Sequence, residues 1–293
     1  MDDPVLVPPG QLAELMEAGA VIPIDTRDPA SYQVGHIPGA VNAHDIFSYL
    51  ASTTAQGLLE LRNTFAAIFG AAGLGGAELG VCYEDSMGTV SGQSCRGYFF
   101  LKYLGYPRAS VLHGGYRAWV DAGLPTSTDV TGPTPRRFPA DESGAGLVIG
   151  TDAMLDAVGD PAVIKLEVRD SAEGMDATSP PCGAEFGPHE GRIPSARWFE
   201  WDRLMKPGKV GLVFKSKDEI LAECRSVGIT PDTPVILYCA TGAGTSNTFI
   251  ALKEAGIKDV RTYLGSWDKW SRHPSSPIGE GFPAPRSHGA VTP

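Results

Sequence analysis

The chain has 293 residues, 42% of them hydrophobic and 20% charged, with a formal net charge of -10. That is enough for one large or two ordinary globular domains, and the acidic balance excludes nucleic acid and anionic membranes as main partners, because phosphate binding needs a basic patch. No run of 18 apolar residues and no basic-then-apolar leader is present, and the five cysteines (Cys82, Cys95, Cys182, Cys224, Cys239) are widely spaced without a CxxC pair, so free thiols in a cytoplasmic setting are expected.

In chain order, GQLAELMEAG (10–19) has helical apolar spacing, and VIPI (21–24) reads as a buried strand by length and residue type. The strand ends in Asp25, then Arg27 and Asp28, then a Gly-x-Ile-Pro turn at Gly35, His36, Ile37 and Pro38. LGVCYEDSMG (79–88) holds the next strand, SCRGYFF (94–100) opens a helix, and SVLHGGYRAWVDAGLP (110–125) closes the block. PTSTDVTGPTPRRFPADESGAG (125–146) is rich in Pro, Gly, Ser and Thr and reads as a linker wrapping one domain onto the other.

The same pattern then returns. VIKLEVRD (163–170) repeats the strand, acid and Arg-Asp, and Gly191, Arg192, Ile193 and Pro194 repeat the turn. Ser216 and Glu219 form a capping box at the head of SKDEILAECRSVGI (216–229). VILY (235–238) answers the strand before Glu84, TSNTFIALKEAG (245–256) is a helix, and TYLGSWDKWSRHPSSP (262–277) answers the block at 110–125. Ile37 and Ile193 are 156 apart, Tyr83 and Tyr238 155, and Trp119 and Trp270 151, a drop that fits a longer loop after Tyr83 than after Tyr238. Matched blocks in one order imply two homologous α/β domains, each a parallel sheet flanked by helices. The expected bounds are 1–124, a linker over 125–146, 147–283, and a disordered tail over 284–293.

Chemistry is expected at Cys239. It ends a strand, precedes a helix, and is followed by Ala240, Thr241, Gly242, Ala243, Gly244 and Thr245. Ligands of parallel sheets bind beyond the carboxyl ends of strands. Small residues let the backbone curl so that successive N–H groups and a helix N-terminus face a sulfur and favour its thiolate. The plain alternative is a buried core thiol. Cys82 and Cys224 read as core and Cys95 as packed. Cys182 is the one other thiol that could approach the site, and no role is assigned to it.

DTRDPASYQVGHIPGA, YCATGAGTS, GGYRAW and GSWDKW together resemble the rhodanese family in its tandem-domain sulfurtransferase form, from about Val5 to Pro277. The resemblance implies an inert first domain, where Glu84 stands in place of the nucleophile, and an active second one. There Cys239 takes a sulfane sulfur from a donor and yields it from a persulfide. It implies a small sulfur donor and a thiol, thioredoxin-like or cyanide acceptor as partners; the chemistry needs no metal or organic cofactor. Thiosulfate-type members place basic residues after the cysteine, whereas mercaptopyruvate-type members have a neutral loop. The neutral Ala240 to Thr245 loop resembles the second, although Ala243 and Gly244 replace its Val-Thr.

Mercaptopyruvate-type members carry substrate-binding arginines between the Arg-Asp strand end and the Ile-Pro turn. Residues 171–191 contain no arginine or lysine, which leaves Arg192 and Arg197 as candidate substrate-binding cations. Arg27 and Arg169 are expected to pair with acids at their own strand ends, and Trp267 and Trp270 to pack in the core, with Trp267 also placed to wall the cleft. Two rival functions stay in view. A cysteine phosphatase would need an arginine six residues after the cysteine, where Thr245 stands, and a non-catalytic binding module would keep the fold without the reaction.

Overall fold

The computed structural model describes residues 3–44, 53–87, 92–130, 133–169, 191–242 and 244–279. The first half runs β1 (Leu6–Val7), α1 (Pro9–Ala18), β2 (Val21–Asp25), α2 (Pro29–Val34), β3 (Val41–Asn42), α3 (Ala55–Ala71), β4 (Leu79–Tyr83), α4 (Gln93–Tyr103), β5 (Ala109–Leu112) and α5 (Gly115–Asp121). The second runs β6 (Val148–Ile149), α6 (Thr151–Val158), β7 (Ile164–Glu167), β8 (Arg197–Trp198), β9 (Met205–Gly208), β10 (Gly211–Phe214), α7 (Lys217–Ser226), β11 (Val235–Tyr238), α8 (Thr245–Glu254), β12 (Val260–Tyr263) and α9 (Ser266–Arg272).

Both halves fold into five-stranded sheets of one topology, β1-β5-β4-β2-β3 and β6-β12-β11-β7-β8. Every pairing within them is parallel. The central strands β4 and β11 are buried at every position, which is why they read as unbroken apolar runs rather than alternating ones. The β9–β10 antiparallel hairpin belongs to the second sheet's half alone among the described residues.

One face of each sheet packs on a local cluster, around Leu12, Tyr32 and Trp119 in the first half and Met154, Trp267 and Trp270 in the second. The other two faces meet in one continuous core that takes in α3 and α4 from one half and α7 and α8 from the other. At its centre Phe99 of α4 meets Phe249 of α8 edge-on, with ring centroids 5.0 Å apart. The head of α8 thus lies against the first half.

Local chemistry fixes the boundaries. The capping box closes as the sequence indicates: Ser216 N donates to Glu219 Oε2 at 2.7 Å and Glu219 N donates back to Ser216 Oγ at 3.4 Å. The helix read over 216–229 stops at Ser226, because Gly228 turns with φ 75° and Ile229 N bonds back to Cys224 O. The linker is held against the first sheet's half through Arg136 N to Gly70 O, Asp141 N to Leu104 O, and Phe138 stacked on Tyr106. No helix is long and apolar enough to cross a membrane among the described residues.

Candidate active site

Cys239 leaves the carboxyl end of β11, the central strand between β7 and β12, and is 4% exposed. Its Sγ accepts the Gly242 N–H at 3.0 Å. Gly242 has φ +87°, the left-handed region, and a Cβ there would run into the Leu264 backbone carbonyl. Thr245 Oγ1 closes the turn by donating to Gly242 O at 2.8 Å, and α8 begins at that threonine. The unpaired N–H end of a ten-residue helix therefore faces the sulfur's loop and adds positive potential where a thiolate forms.

The loop is clamped from α9. Trp267 N donates to Cys239 O and Asp268 N to Ala240 O, both at 3.0 Å. Cys239 N donates to Ser266 Oγ at 3.1 Å; that hydroxyl in turn donates to Tyr263 O at 3.1 Å and stands 4.0 Å from Sγ. Ser266 holds φ 49°, a region costly for any residue with a side chain, and is fully buried. Sequence reasoning passed over Ser266. The signal was present in the repeat, where Gly115 (φ 67°) occupies the equivalent position: a serine placed where the backbone wants glycine marks a hydroxyl with a task.

Of the other residues read as substrate-binding, Ala240, Thr241 and Gly244 lie half-buried on this loop. A Cβ on Gly244 would sit 3.8 Å from Sγ, in ordinary contact with the sulfur. Ala243 and Cys182 lie outside the described residues. The two candidate cations have other partners. Arg192 pairs with Glu167 (Nε to Oε2, 3.3 Å) and donates to Ala196 O at 2.6 Å. Arg197 donates to Val227 O beyond the end of α7. Arg192 is drawn to a carboxylate and a turn carbonyl and Arg197 to the carbonyl at the C-cap of α7, and among the described residues neither makes a hydrogen bond or ion pair to the Cys239 loop.

The first half carries the same frame around a different group. Tyr116 N donates to Glu84 O (2.8 Å) and Arg117 N to Asp85 O (3.0 Å), as Trp267 and Asp268 do for Cys239 and Ala240. Arg27 pairs with Asp25 at 2.6 Å as Arg169 does with Glu167, and each arginine lies over the aromatic ring that opens the last helix, Tyr116 or Trp267. Trp119 and Trp270 donate Nε1 to Pro125 O and Pro277 O at 2.7 and 2.9 Å. Where the second half has a sulfur, Glu84 accepts from Ser94 Oγ (2.8 Å) and Gln93 N (3.2 Å) at the head of α4. The carboxylate itself fills the anion position of that helix N-terminus.

The Rhodanese-like domain family matches residues 8–122 and 151–273, each enclosing one of the two sheets' central strands. The chain belongs to the rhodanese-like domain family. It is 29% identical over 287 residues to a thiosulfate sulfurtransferase of Azotobacter vinelandii, covering 95% of this chain and 99% of the relative. It is 28% identical over 280 residues to one of Pseudomonas aeruginosa, covering 94% and 97%. The solved structure of an anaerobic ergothioneine biosynthesis enzyme from Chlorobium limicola, in complex with trimethyl histidine, shares the fold with a TM-score of 0.77 at 23% identity, covering 95% of this chain and 71% of that one. This tandem rhodanese-like protein is thus an enzyme of the sulfurtransferase class.

The other described thiols of this rhodanese-like chain are poorly suited to be nucleophiles. Burial pushes Cys82 and Cys95 far up, Cys95 further still through the Glu84 charge. Burial, then the Glu223 charge, pushes Cys224 up to about 11, so at neutral pH only about one part in ten thousand of it is thiolate. Iodoacetamide at neutral pH is therefore expected to label Cys239 well ahead of these three, followed by peptide mapping over time. Labelling of Cys224 at the rate of Cys239 would contradict the assignment of the loop as a thiolate site.

Proposed function

We propose that Cys239 takes a sulfane sulfur from a small anionic donor, holds it as a persulfide, and passes it to a thiol, a thioredoxin-like protein or cyanide. The observation that carries the reading is the Gly242 N–H aimed at Sγ from a loop at the head of α8. Such a loop supplies positive potential before the donor arrives and a fixed hydrogen-bond donor for the charged persulfide afterwards.

In the first half-reaction the Cys239 thiolate attacks the donor's outer sulfur. A Cys239 S–S bond forms, and the bond from that sulfur to the donor breaks with its electron pair staying on the donor. Thiosulfate then leaves as sulfite; 3-mercaptopyruvate leaves as the enolate of pyruvate, which takes up a proton. In the second half-reaction an acceptor thiolate or cyanide attacks the outer persulfide sulfur, and the Cys239 thiolate is the leaving group. No net oxidant or reductant is required.

A 3-mercaptopyruvate-like donor is favoured over thiosulfate because Ala240 to Thr245 carry no charge with which to hold a compact dianion. The names of the Azotobacter and Pseudomonas relatives point the other way, so both donors belong in the test. Intact-protein mass spectrometry after brief exposure to each is expected to show one added sulfur on the wild type and none on Cys239→Ser. The faster donor assigns the subclass. No added sulfur from either donor would overturn the transfer reading and favour a binding role for the fold.

A further inference from the structure

Arg96 sits in the first turn of α4, in the half of the chain that lacks the nucleophile, yet it is 2% exposed. A guanidinium so far from water needs an anion to offset its lost hydration. Burial lowers its pKa to about 10, and the Cys239 charge acts in the opposite direction. The charge that favours its protonated form belongs to Cys239, in the other half of the chain.

The geometry of the repeat explains how. Asn247 stands to α8 as Arg96 stands to α4, by the same 151-residue offset that relates Trp119 to Trp270. Asn247 reaches across to the loop that follows Glu84: a Cβ on Gly92, the N-cap of α4, would collide with its side-chain amide. Arg96 holds the equivalent place on α4, and α4 and α8 pack on each other through Phe99 and Phe249, so the pseudo-symmetry of the repeat directs Arg96 toward the side of α8 on which Cys239 lies. The guanidinium is steadied there by the Phe100 ring, 5.0 Å from its centroid. The loop after the Glu84 carboxylate meets a neutral amide, whereas the residue at the equivalent place on the sulfur's side is a cation.

We propose that Arg96 is the buried counter-charge of Cys239, a positioning residue supplied by the first domain that holds the thiolate and the persulfide without touching the donor. This rests on Cys239 being the sulfur carrier. It also gives the inert domain a part in the chemistry: the cation that the Cys239 loop lacks in sequence arrives from the neighbouring helix. Among the described residues, the elements around the sulfur also carry Glu84 after β4, Cys95, Tyr98, Lys102 and Tyr103 on α4, Tyr238 on β11, Lys253 and Glu254 on α8, Arg261 and Tyr263 on β12, and Asp268, Lys269 and Arg272 on α9. Asp268 pairs with Lys269 at 2.9 Å and with Arg272 at 2.8 Å.

The test is the pH profile of Cys239 alkylation by iodoacetamide, read on the Cys239 peptide in the full chain, for wild type, Arg96→Gln and Arg96→Lys, with circular dichroism as the check of folding. Losing a close opposite charge raises an acid's midpoint by about one to three units. Arg96→Gln is expected to move it up by at least about one unit, so that labelling below the midpoint slows about tenfold. Arg96→Lys keeps a cation but not its reach or its planar fork, and is expected to give a smaller upward shift. Should Arg96→Gln not fold, Arg96→Lys alone decides. An unmoved midpoint in a folded variant overturns the Arg96 inference. A wild type whose Cys239 labels no faster at neutral pH than Cys224 overturns instead the nucleophile reading on which it rests, so the two failures are distinct.

Discussion

Gly242→Ala is expected to slow sulfur loading of Cys239 by about a hundredfold or more, the loss seen when one preorganised backbone or side-chain donor is removed from a charge-stabilising site. Two physical effects combine at this position. The backbone holds φ +87°, which costs a residue with a Cβ about 1–2 kcal/mol. The added methyl would also collide with the Leu264 carbonyl oxygen and lie 3.2 Å from its carbon, against backbone that leads directly into α9. Leu264 cannot yield without moving Ser266, Trp267 and Asp268, which hold Cys239 and Ala240. The loop must move instead, and its N–H leaves Sγ. Rates of sulfur addition by mass spectrometry, with melting curves as control, measure the effect. A folded Gly242→Ala that loads within twofold of wild type would show that this N–H does not hold the reacting charge.

Much of the architecture was legible because the chain states it twice. The offsets between Ile37 and Ile193, Tyr83 and Tyr238, and Trp119 and Trp270 correspond to atoms in equivalent bonds: Tyr83 and Tyr238 both accept an N–H on their hydroxyls, from Ile37 and Ile193. Cys239 was legible because strand, small-residue loop and helix follow one another locally. What escaped were partners distant in sequence. Ser266 lies 27 residues beyond Cys239 and Arg96 well over a hundred before it, and helical spacing in SCRGYFF cannot say which helix from the other repeat will cover that turn. Arg192 and Arg197 were read from their place near the Ile-Pro turn. The nearby acceptors that claim them, Glu167 in one case and Val227 O in the other, belong to a different strand and to the residue after α7.

Glu167→Gln is expected to lower stability by about 3–5 kcal/mol, the usual cost of removing one partner from a buried ion pair and leaving charge behind. Glu167 is 1% exposed. Its Oε1 takes Arg169 Nε at 2.6 Å, and its Oε2 takes Tyr238 OH at 2.8 Å and Arg192 Nε at 3.3 Å. The first half does the same work with less: Asp25 takes Arg27, and the position of Arg192 is held by His36, whose ring nitrogens lie 2.8 and 2.9 Å from the Tyr32 and Asp129 carbonyls. The second half has an extra cation and a carboxylate one methylene longer, and the two changes are expected to be coupled. Denaturant midpoints should therefore show that Glu167→Asp alone is costly, because the shorter acid cannot serve both arginines. Combining Glu167→Asp with Arg192→His should recover at least about 1 kcal/mol, within the range of contacting pairs. Additive losses in the double variant would mean that Arg192 does not depend on this carboxylate. Because Tyr238 is the residue before Cys239, sulfur loading measured on the same variants reports whether the ion-pair cluster also sets the position of the nucleophile.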